Sequence, residues 1–523
     1  MARPHRFLAA RADAVGVPAA FPLRVAAVDM GSNAIRFKAC EFTSPRRWTV
    51  LASERRAVRL GHGVFLSGRL APQAMDAAVE ALDSFASSMR ELGIEHCRAI
   101  ATSAVREAAN GEAFLARVRE RTGLQLEVVS GAEEARLAFL AVRSRLGLSP
   151  GRWLIADLGG GSVEVSLADA DGIVWCESHT IGAVRLLEEL SQAGAEPGRF
   201  RQLLEEYLSN LRLPAAVREG QVQGFVATGG NIEALARLAF PAAGEDTLTL
   251  PLGRLRATIE TLARMSYRQR VDELGLREDR ADVILPGALV YERIASLAGC
   301  DAVTVPFVGL VEGLLIDLVE EVSSHHQHVD EQERVLRAAA LTLGRRYHVD
   351  EAHAGKVAEV ALALFDQLRE LHGLGAGERR LLLAAALLHE VGQYVSFKGH
   401  HKHSLYLLHH SELAGFSPRQ MQLVANVARY HRKTEPSPSH WSYAALTARE
   451  REVVDRLAAI LRIADSLDRE HLQRVRKVDA WVRGKELVLR LQGEGDLMLE
   501  RWALQAKAGL FSRVFGLRVR LKD

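Results

Sequence analysis

The sequence predicts an α/β protein of two duplicated lobes, followed by an all-α segment and a small α/β cap. An order of strand, Gly-rich turn, strand, turn, strand opens at Leu23 and restarts at Trp153. Strand and helix patterns alternate after each opening, as in two lobes facing one another across a cleft. From Asp330 to Val475 the pattern is helix after helix, with almost no strand signal.

The first half justifies its elements in turn. LRVAAVDM is an unbroken apolar run suited to a buried strand, GSN turns the chain, and AIRFKACEF returns. WTVLASERRAVRL supplies a third strand. Pro72 then sits in the first turn of a helix in which Met75, Val79, Leu82, Phe85, Met89 and Leu92 recur at helical spacing. A strand CRAIAT, a helix from about Val105, a strand LQLEVV and a helix AEEARLAFLAVRSRL complete the unit. After the turn at Leu148–Arg152, WLIADLGGGSVEVSLAD and GIVWCESHTIGAVRLLEEL repeat the opening, and the third strands rhyme in RRAVRLGHG and HTIGAVRLLEE. The expected boundaries are a loose tail over 1–22, lobes over 23–150 and 151–325, an all-α domain over 326–478 and a cap over 479–523.

Composition narrows the function classes. A chain of 523 residues exceeds one ordinary core, and 48% hydrophobic with 25% charged residues is the profile of a folded protein. Lys+Arg 67 against Asp+Glu 65 leaves +2, which excludes a global polycation and gives no reason to expect nucleic acid as a partner. Cys40, Cys97, Cys176 and Cys300 are scattered without a CxxC pair, which fits a reducing cytoplasm rather than a disulfide framework. No apolar run reaches the roughly 18 residues of a membrane span. The Arg- and Ala-rich N-terminus is broken by Arg11, Asp13 and prolines, so it lacks a signal h-region.

Three Gly-rich turns carry the chemistry. Asp29-Met30-Gly31-Ser32-Asn33 lies at a strand end, where glycine lets backbone N–H groups approach a phosphate and Ser and Asn add donors. Asp29 suits a metal or its water shell; a structural hairpin turn is the plainer alternative. Asp157-Leu158-Gly159-Gly160-Gly161-Ser162 places three glycines between strands, a cost that a close ligand explains. Asp157 and Glu164 flank this turn and suit Mg²⁺, which takes a few carboxylates plus substrate oxygens. Thr228-Gly229-Gly230-Asn231 follows a strand and opens a helix, where backbone N–H groups favour an anion. Between the first two turns, Thr102, Ser103 and Arg106 occupy a strand-to-helix junction. Arg106 either forks onto a phosphate or serves as a surface salt-bridge residue. Glu133 and Glu134 open the next helix, where acids ordinarily complement the dipole.

The helical segment is rich in histidine. His400, His401, Lys402 and His403, with Arg429, His431, Arg432 and Lys433, make a local basic set. Such a set either lines a channel for a long polyanion, through His401, Lys402, Arg432 and Lys433 above all, or forms a solvated face.

VDMGSNAIR, ATSAVREAAN, VVSGAEEARLAF, DLGGGSVE, ATGGN and RADVILPGA, in that order, resemble the exopolyphosphatase and guanosine pentaphosphate phosphohydrolase (Ppx/GppA) family. LLHEVGQYVSFKGHHKHSLYLL and ARYHRK resemble the HD-like domain of its long members. The resemblance implies an acetate kinase, Hsp70 and actin-type fold (ASKHA, ribonuclease H-like) with an interlobe site, and long members that tend to dimerise. It makes Glu134 the general base, against its capping role by spacing. It gives Mg²⁺ to Asp157 and Glu164, and phosphate to Gly31, Ser32, Asn33, Arg106, Gly159, Gly160, Gly161 and Ser162. Arg36, in the first matching stretch, and Ser103, Gly229 and Gly230 join the expected phosphate set. Where members carry arginines in an RGLREG-like run, this chain has Val308-Gly309-Leu310-Val311-Glu312-Gly313, so two cationic contacts are missing. The HD-type ligand positions fall on His353, His389, Glu390 and Asp465. Glu390 in place of aspartate lengthens that arm, so a structural or anion-binding relic is expected there rather than a second catalytic centre.

The expected activity is exopolyphosphatase, releasing terminal orthophosphate from inorganic polyphosphate with Mg²⁺ and a base-activated water. The alternatives are hydrolysis of guanosine pentaphosphate, which needs a guanine pocket, and a non-catalytic sensor with a weakened cleft. A kinase of the same fold is a poorer match, because Glu134 suits water rather than an acceptor substrate.

Overall fold

A computed structural model describes residues 8–9, 21–169, 172–192, 197–209, 211, 213, 217, 222–242, 244, 247–323 and 325–522. It divides into two compact units, Met1–Val329 and Asp330–Asp523. Most of the expected N-terminal tail lies outside the described residues. Within it, β1 (Leu8–Ala9) pairs in parallel with the strand His96–Ala101.

The first unit holds two six-stranded sheets of one design. In the first, β2 (Leu23–Met30), β3 (Ile35–Ser44) and β4 (Arg47–Arg56) form an antiparallel meander. β5 (His96–Ala101) lies parallel to β2, and β6 (Leu126–Val128) parallel to β5. The second sheet repeats this with β7 (Arg152–Leu158), β8 (Val163–Ala168) and β9 (Ile173–His179) as the meander. β10 (Val222–Thr228) lies parallel to β7, and β12 (Ala302–Val305) parallel to β10, with β11 (Leu248–Pro251) antiparallel at the edge. This is the duplicated actin-like architecture. Central strands covered on both faces need apolar residues at every position, and in β2 all but Arg24 are buried.

Two expectations change. The rhyming AVRL segments are not strands: residues 57–60 follow the end of β4 as irregular chain, and the second copy lies in the helix Ala183–Gln192. The helix Leu310–Ser323, counted with the second lobe, packs its Val311, Leu314, Leu315 and Leu318 against Leu23, Val25 and Phe42 of the first sheet. It also runs against the helix Gly131–Leu146, whose Phe139 and Val142 meet Ile155 and Val226 of the second sheet. That pair of helices therefore joins the lobes from behind the cleft.

The second unit is mainly helical, and among the described residues it has one three-stranded sheet: β13 (Val475–Arg483), β14 (Glu486–Gly493) and β15 (Arg518–Lys522). Leu487, Leu489, Leu504, Leu510 and Phe511 share one core with Leu382, Leu388, Val424, Leu457 and Leu461 of the helices. The C-terminal cap is thus continuous with the helical bundle in its packing. Among the described residues no helix is long and apolar enough to cross a membrane.

A buried ion network locks the helix that will matter most. Arg98 of β5 donates to Glu133 Oε1 at 3.0 Å and to Asp317; Arg136 donates to Glu133 Oε2 at 2.8 Å and to Asp317 Oδ1 at 2.9 Å. Burial opposes ionisation of Glu133, but Arg136 and Arg98 outweigh it and hold the carboxyl at about 2. Removing one partner strands buried charge, so Asp317→Asn is expected to cost about 3–5 kcal/mol. Urea unfolding of the full chain checks this; a loss under about 1 kcal/mol, the scale of a surface pair, would contradict a structural role.

Candidate active site

Each lobe delivers the same two turns to one cleft: the hairpin turn that closes its first two strands and the turn that follows its fourth strand. Asp29, Gly31, Ser32, Asn33, Arg36, Ser103, Glu134, Asp157, Gly159, Gly160, Ser162, Gly229 and Gly230 all line it. The sequence-predicted phosphate set therefore converges, with two exceptions, Arg106 and Gly161. Gly161 does not line the cleft; a Cβ there would lie 2.3 Å from Ser103 Oγ and 2.5 Å from the Phe65 ring, so its glycine serves packing.

Backbone hydrogen bonds fix the turns. Ala183 N donates to Gly159 O at 3.1 Å, and Val184 and Arg185 N–H groups converge on Gly160 O at 2.9 and 3.0 Å. Gly182, which sequence reasoning missed, permits this approach, since a Cβ would stand 2.3 Å from Gly160 O. Ser32 Oγ and Ser103 Oγ meet at 3.0 Å, tying the first hairpin turn to the strand-to-helix junction. Asn33 Nδ2 donates to Asp279 O at 2.9 Å, leaving its buried Oδ1 without a partner. The helix Gly230–Ala239 opens at the cleft, so its first N–H groups and the positive end of its dipole face whatever binds there.

The two acids at the start of the helix Gly131–Leu146 have separate fates. Glu133 belongs to the ion network behind, whereas Glu134 lines the cleft. Arg106 neither forks into the cleft nor sits on the surface: its Nη1 donates to Val129 O at 2.6 Å and to Glu134 Oε1 at 2.7 Å. Burial pushes the Glu134 carboxyl up, Arg106 pulls it down, and Asp157 and Asp29 push again, leaving it at about 7. That balance keeps the group near the middle of its titration at neutral pH, which suits proton transfer.

Register places the remaining acids. Asp157 lies opposite Glu164 across the β7–β8 pair and beside Thr228 of β10, whose Oγ1 donates to Asp157 Oδ1 at 2.5 Å. Burial raises both Asp157 and Glu164, and Glu134 and Asp157 raise Glu164 further. Asp29 is lifted by burial to about 6, with Arg36 opposing. Glu164 does not line the cleft; it lies beneath, accepting from Ser178 Oγ at 2.8 Å. Asp29, Asp157 and Glu164 also form no close trio: among the described residues, every group of three or more ligand atoms within 4.8 Å is in the second unit. The set nonetheless fits a hydrated dication. It consists of acceptors, and the buried Asp29 Oδ1 and Glu164 Oε2 have no hydrogen-bond partner.

Two cations escaped the sequence reading. Arg55 and Arg280 line the cleft beside Arg36. Strand register carries Arg36 opposite both Asp29 and Arg55. Arg280 Nη1 donates to Asn231 Oδ1 at 2.5 Å, and burial together with Arg36 and Arg55 lowers it to about 10. From the run 308–313, which lacks arginine, Gly309 and Leu310 line the cleft. The signal for Arg280 was its place at the head of RADVILPGA; Arg55 had none.

In the second unit the proposed basic set loses a member. His401 is buried, and burial with His400 and Arg432 holds it at about 4, neutral at pH 7. Lys402 and Lys433 are exposed and Arg432 half-buried, so these three supply the charge.

The sequence model of the Ppx/GppA phosphatase family matches residues 43–322, and that of domain III of the same family matches 321–507. Guanosine-5'-triphosphate,3'-diphosphate pyrophosphatase of Photobacterium profundum is 28% identical over 439 residues, 83% of this chain and 86% of its own. The protein of that name from Vibrio vulnificus is 27% identical over 411 residues, 78% of this chain and 80% of its own. An exopolyphosphatase structure from Cytophaga hutchinsonii is similar with a TM-score of 0.54 at 26% identity, over 57% of this chain and 98% of that one. With its interlobe cleft and more than half its length matched by the first of these models, the chain belongs to the Ppx/GppA phosphatase family.

Proposed function

We propose that this phosphatase is an exopolyphosphatase that releases the terminal orthophosphate of inorganic polyphosphate. The observation that carries the reading is Glu134, a carboxylate balanced near neutrality at a cleft whose other contacts are phosphate-binding turns and guanidiniums. Glu134 takes a proton from water as its oxygen attacks the terminal phosphorus. The anhydride P–O bond breaks, and the shortened chain leaves with that bond's electron pair. Arg36, Arg55, Arg280 and the turn N–H groups bind the non-bridging oxygens, where charge gathers. Mg²⁺, held by Asp157 and Asp29 with Glu164 behind them, would neutralise phosphate charge when bound. No aromatic side chain lines this cleft among the described residues, so it offers phosphate recognition without a base-stacking platform. A cytoplasmic homodimer belongs to the same proposal.

Guanosine pentaphosphate is the second reading, and one feature favours it. A cavity of about 830 Å³ adjoins the cleft and shares Arg36, Arg55, Gly230 and Arg280 with it, giving room for a nucleoside beside the phosphates. The two curated relatives carry that substrate in their names.

Phosphate release from long-chain polyphosphate and from guanosine pentaphosphate, compared on purified protein with Mg²⁺, decides between them. A higher kcat/KM for polyphosphate is expected; the reverse order favours the nucleotide, and release from neither leaves a sensor.

Glu134→Gln is expected to lower kcat by about 10²–10⁴-fold while substrate binding is retained. Turnover at the parental rate would remove Glu134 from the base role. The base must be ionised to act, so activity should rise as pH passes through the Glu134 pKa, about 7. Arg106 lowers that pKa, so Arg106→Gln should move the rising limb of the pH–rate profile upward. An unmoved limb would mean that Arg106 does not tune the base.

A further inference from the structure

The surface of the second unit carries a band in which aromatic rings and cations alternate. Large aromatic side chains are ordinarily withdrawn from water, yet Phe397, Tyr406 and Trp441 are 69%, 63% and 60% exposed. Phe397 lies between the short 3-10 helix Val391–Tyr394 and the helix His400–His409, Tyr406 lies on the latter, and Trp441 opens the helix Trp441–Ala444. Single exposed rings are common and need no ligand; rings joined into one patch mark a contact surface.

Neighbouring side chains join these three. The Arg432 guanidinium lies 6.0 Å from the centre of the Phe397 ring. Burial and the charges of His400, Arg432, Lys433 and Lys402 together lower His401, which gathers three long cations around one buried ring. Burial, Arg429 and Lys402 also lower His440, the residue before Trp441, so Lys402 stands near that end of the band. Trp441 meets His409 edge-on at 5.2 Å, His409 meets His410 at 5.1 Å, and His410 meets Tyr406 at 4.7 Å. Lys402, Tyr406 and His410 recur every fourth residue and are all exposed, a stripe along one helix face.

The charge of the band has one sign. Residues 391–411 contain no Asp or Glu, and residues 428–449 contain only Glu435, which pairs with Arg513 at 2.8 Å. A net charge of +2 over the whole chain averages this local set away.

Two features select the ligand. Cations along a band attract a chain of phosphates. Exposed rings add nothing for inorganic polyphosphate, which has no face to stack, but each is a platform for a nucleobase. In a duplex the bases are already stacked on one another, so a single strand presents them best. A lipid surface is met by aliphatic as well as aromatic side chains. Between 391 and 449, among the described residues, Val395 is the one large aliphatic that is exposed.

We propose that this band binds single-stranded nucleic acid, with Phe397, Tyr406 and Trp441 stacking on bases and Lys402, Arg432 and Lys433 meeting the phosphates. It is independent of which substrate the cleft of the first unit hydrolyses.

The test uses the full chain and the fluorescence anisotropy of labelled strands without a terminal phosphate, which keeps the phosphate cleft out of the measurement. Single-stranded RNA or DNA is expected to bind more tightly than its duplex and than an abasic strand of equal length. Phe397→Ala, Tyr406→Ala and Trp441→Ala change exposed side chains, so each variant should fold. Each is expected to weaken the single strand by about 5–150-fold and to leave polyphosphate binding unchanged. Lys402→Gln with Lys433→Gln should weaken both polymers, and should make the slope of log K against log salt for the single strand shallower by about 1.4. Equal binding of the abasic strand, or unchanged affinity in all three ring variants, would overturn the proposal. So would the absence of single-strand binding; capture of phosphatidylserine vesicles, or self-association, that is lost with the same rings would then assign the band to a lipid surface or to a second copy of the chain.

Discussion

Four carboxylates, Asp29, Glu134, Asp157 and Glu164, are buried around the carboxyl ends of β2 and β7, and the rest of the first unit answers to the charge that this gathers. Desolvation raises all four, and neighbouring carboxylates add to it, so each is poised to gain a proton, a cation or an arginine. The duplicated sheet makes the gathering unavoidable. Each lobe places an aspartate one residue before the end of a largely buried central strand, and the turns that follow bring the two ends to one cleft. Compensation is then graded. Arg106 pairs with Glu134, Arg36 faces Asp29 across the hairpin, and Glu164 keeps one oxygen without a partner.

That grading separates reaction from support. Glu133 and Glu134 are neighbours at one helix start, yet two arginines hold the first at about 2 while the second stays at about 7. Successive residues of a helix point about 100° apart, so one faces the network between lobes and the other the cleft. The network that clamps Glu133 also fixes the helix, and through it the depth at which Glu134 enters the site.

Much of this arrangement was written locally. The Gly-rich turns, the strands that lead into them and the helix after Thr228 are contiguous features, which a pattern of apolar runs and glycines reveals. What escaped is tertiary. Arg55 reaches the cleft because of its register opposite Arg36, and Asp317 binds Arg98 from more than two hundred residues away in sequence. Gly161 shows the converse: a glycine in a phosphate-type motif spent on packing against Ser103 and Phe65. The AVRL rhyme misled because four residues do not carry their neighbours' hydrogen bonds with them.

The second unit meets the same problem, buried groups of one electrical kind, with different donors. In the lobes the acceptors are carboxylates, whose oxygens are hard donors. Among the helices the acceptors are mostly imidazole nitrogens, each oriented by an oxygen behind it, and no guanidinium enters their centre. A histidine-rich sequence invites reading as a basic surface, but burial reverses that meaning. His401 is neutral, and His389 and His431 direct lone pairs inward rather than charge outward. Burial, more than residue type, therefore decides whether a histidine adds to a basic surface.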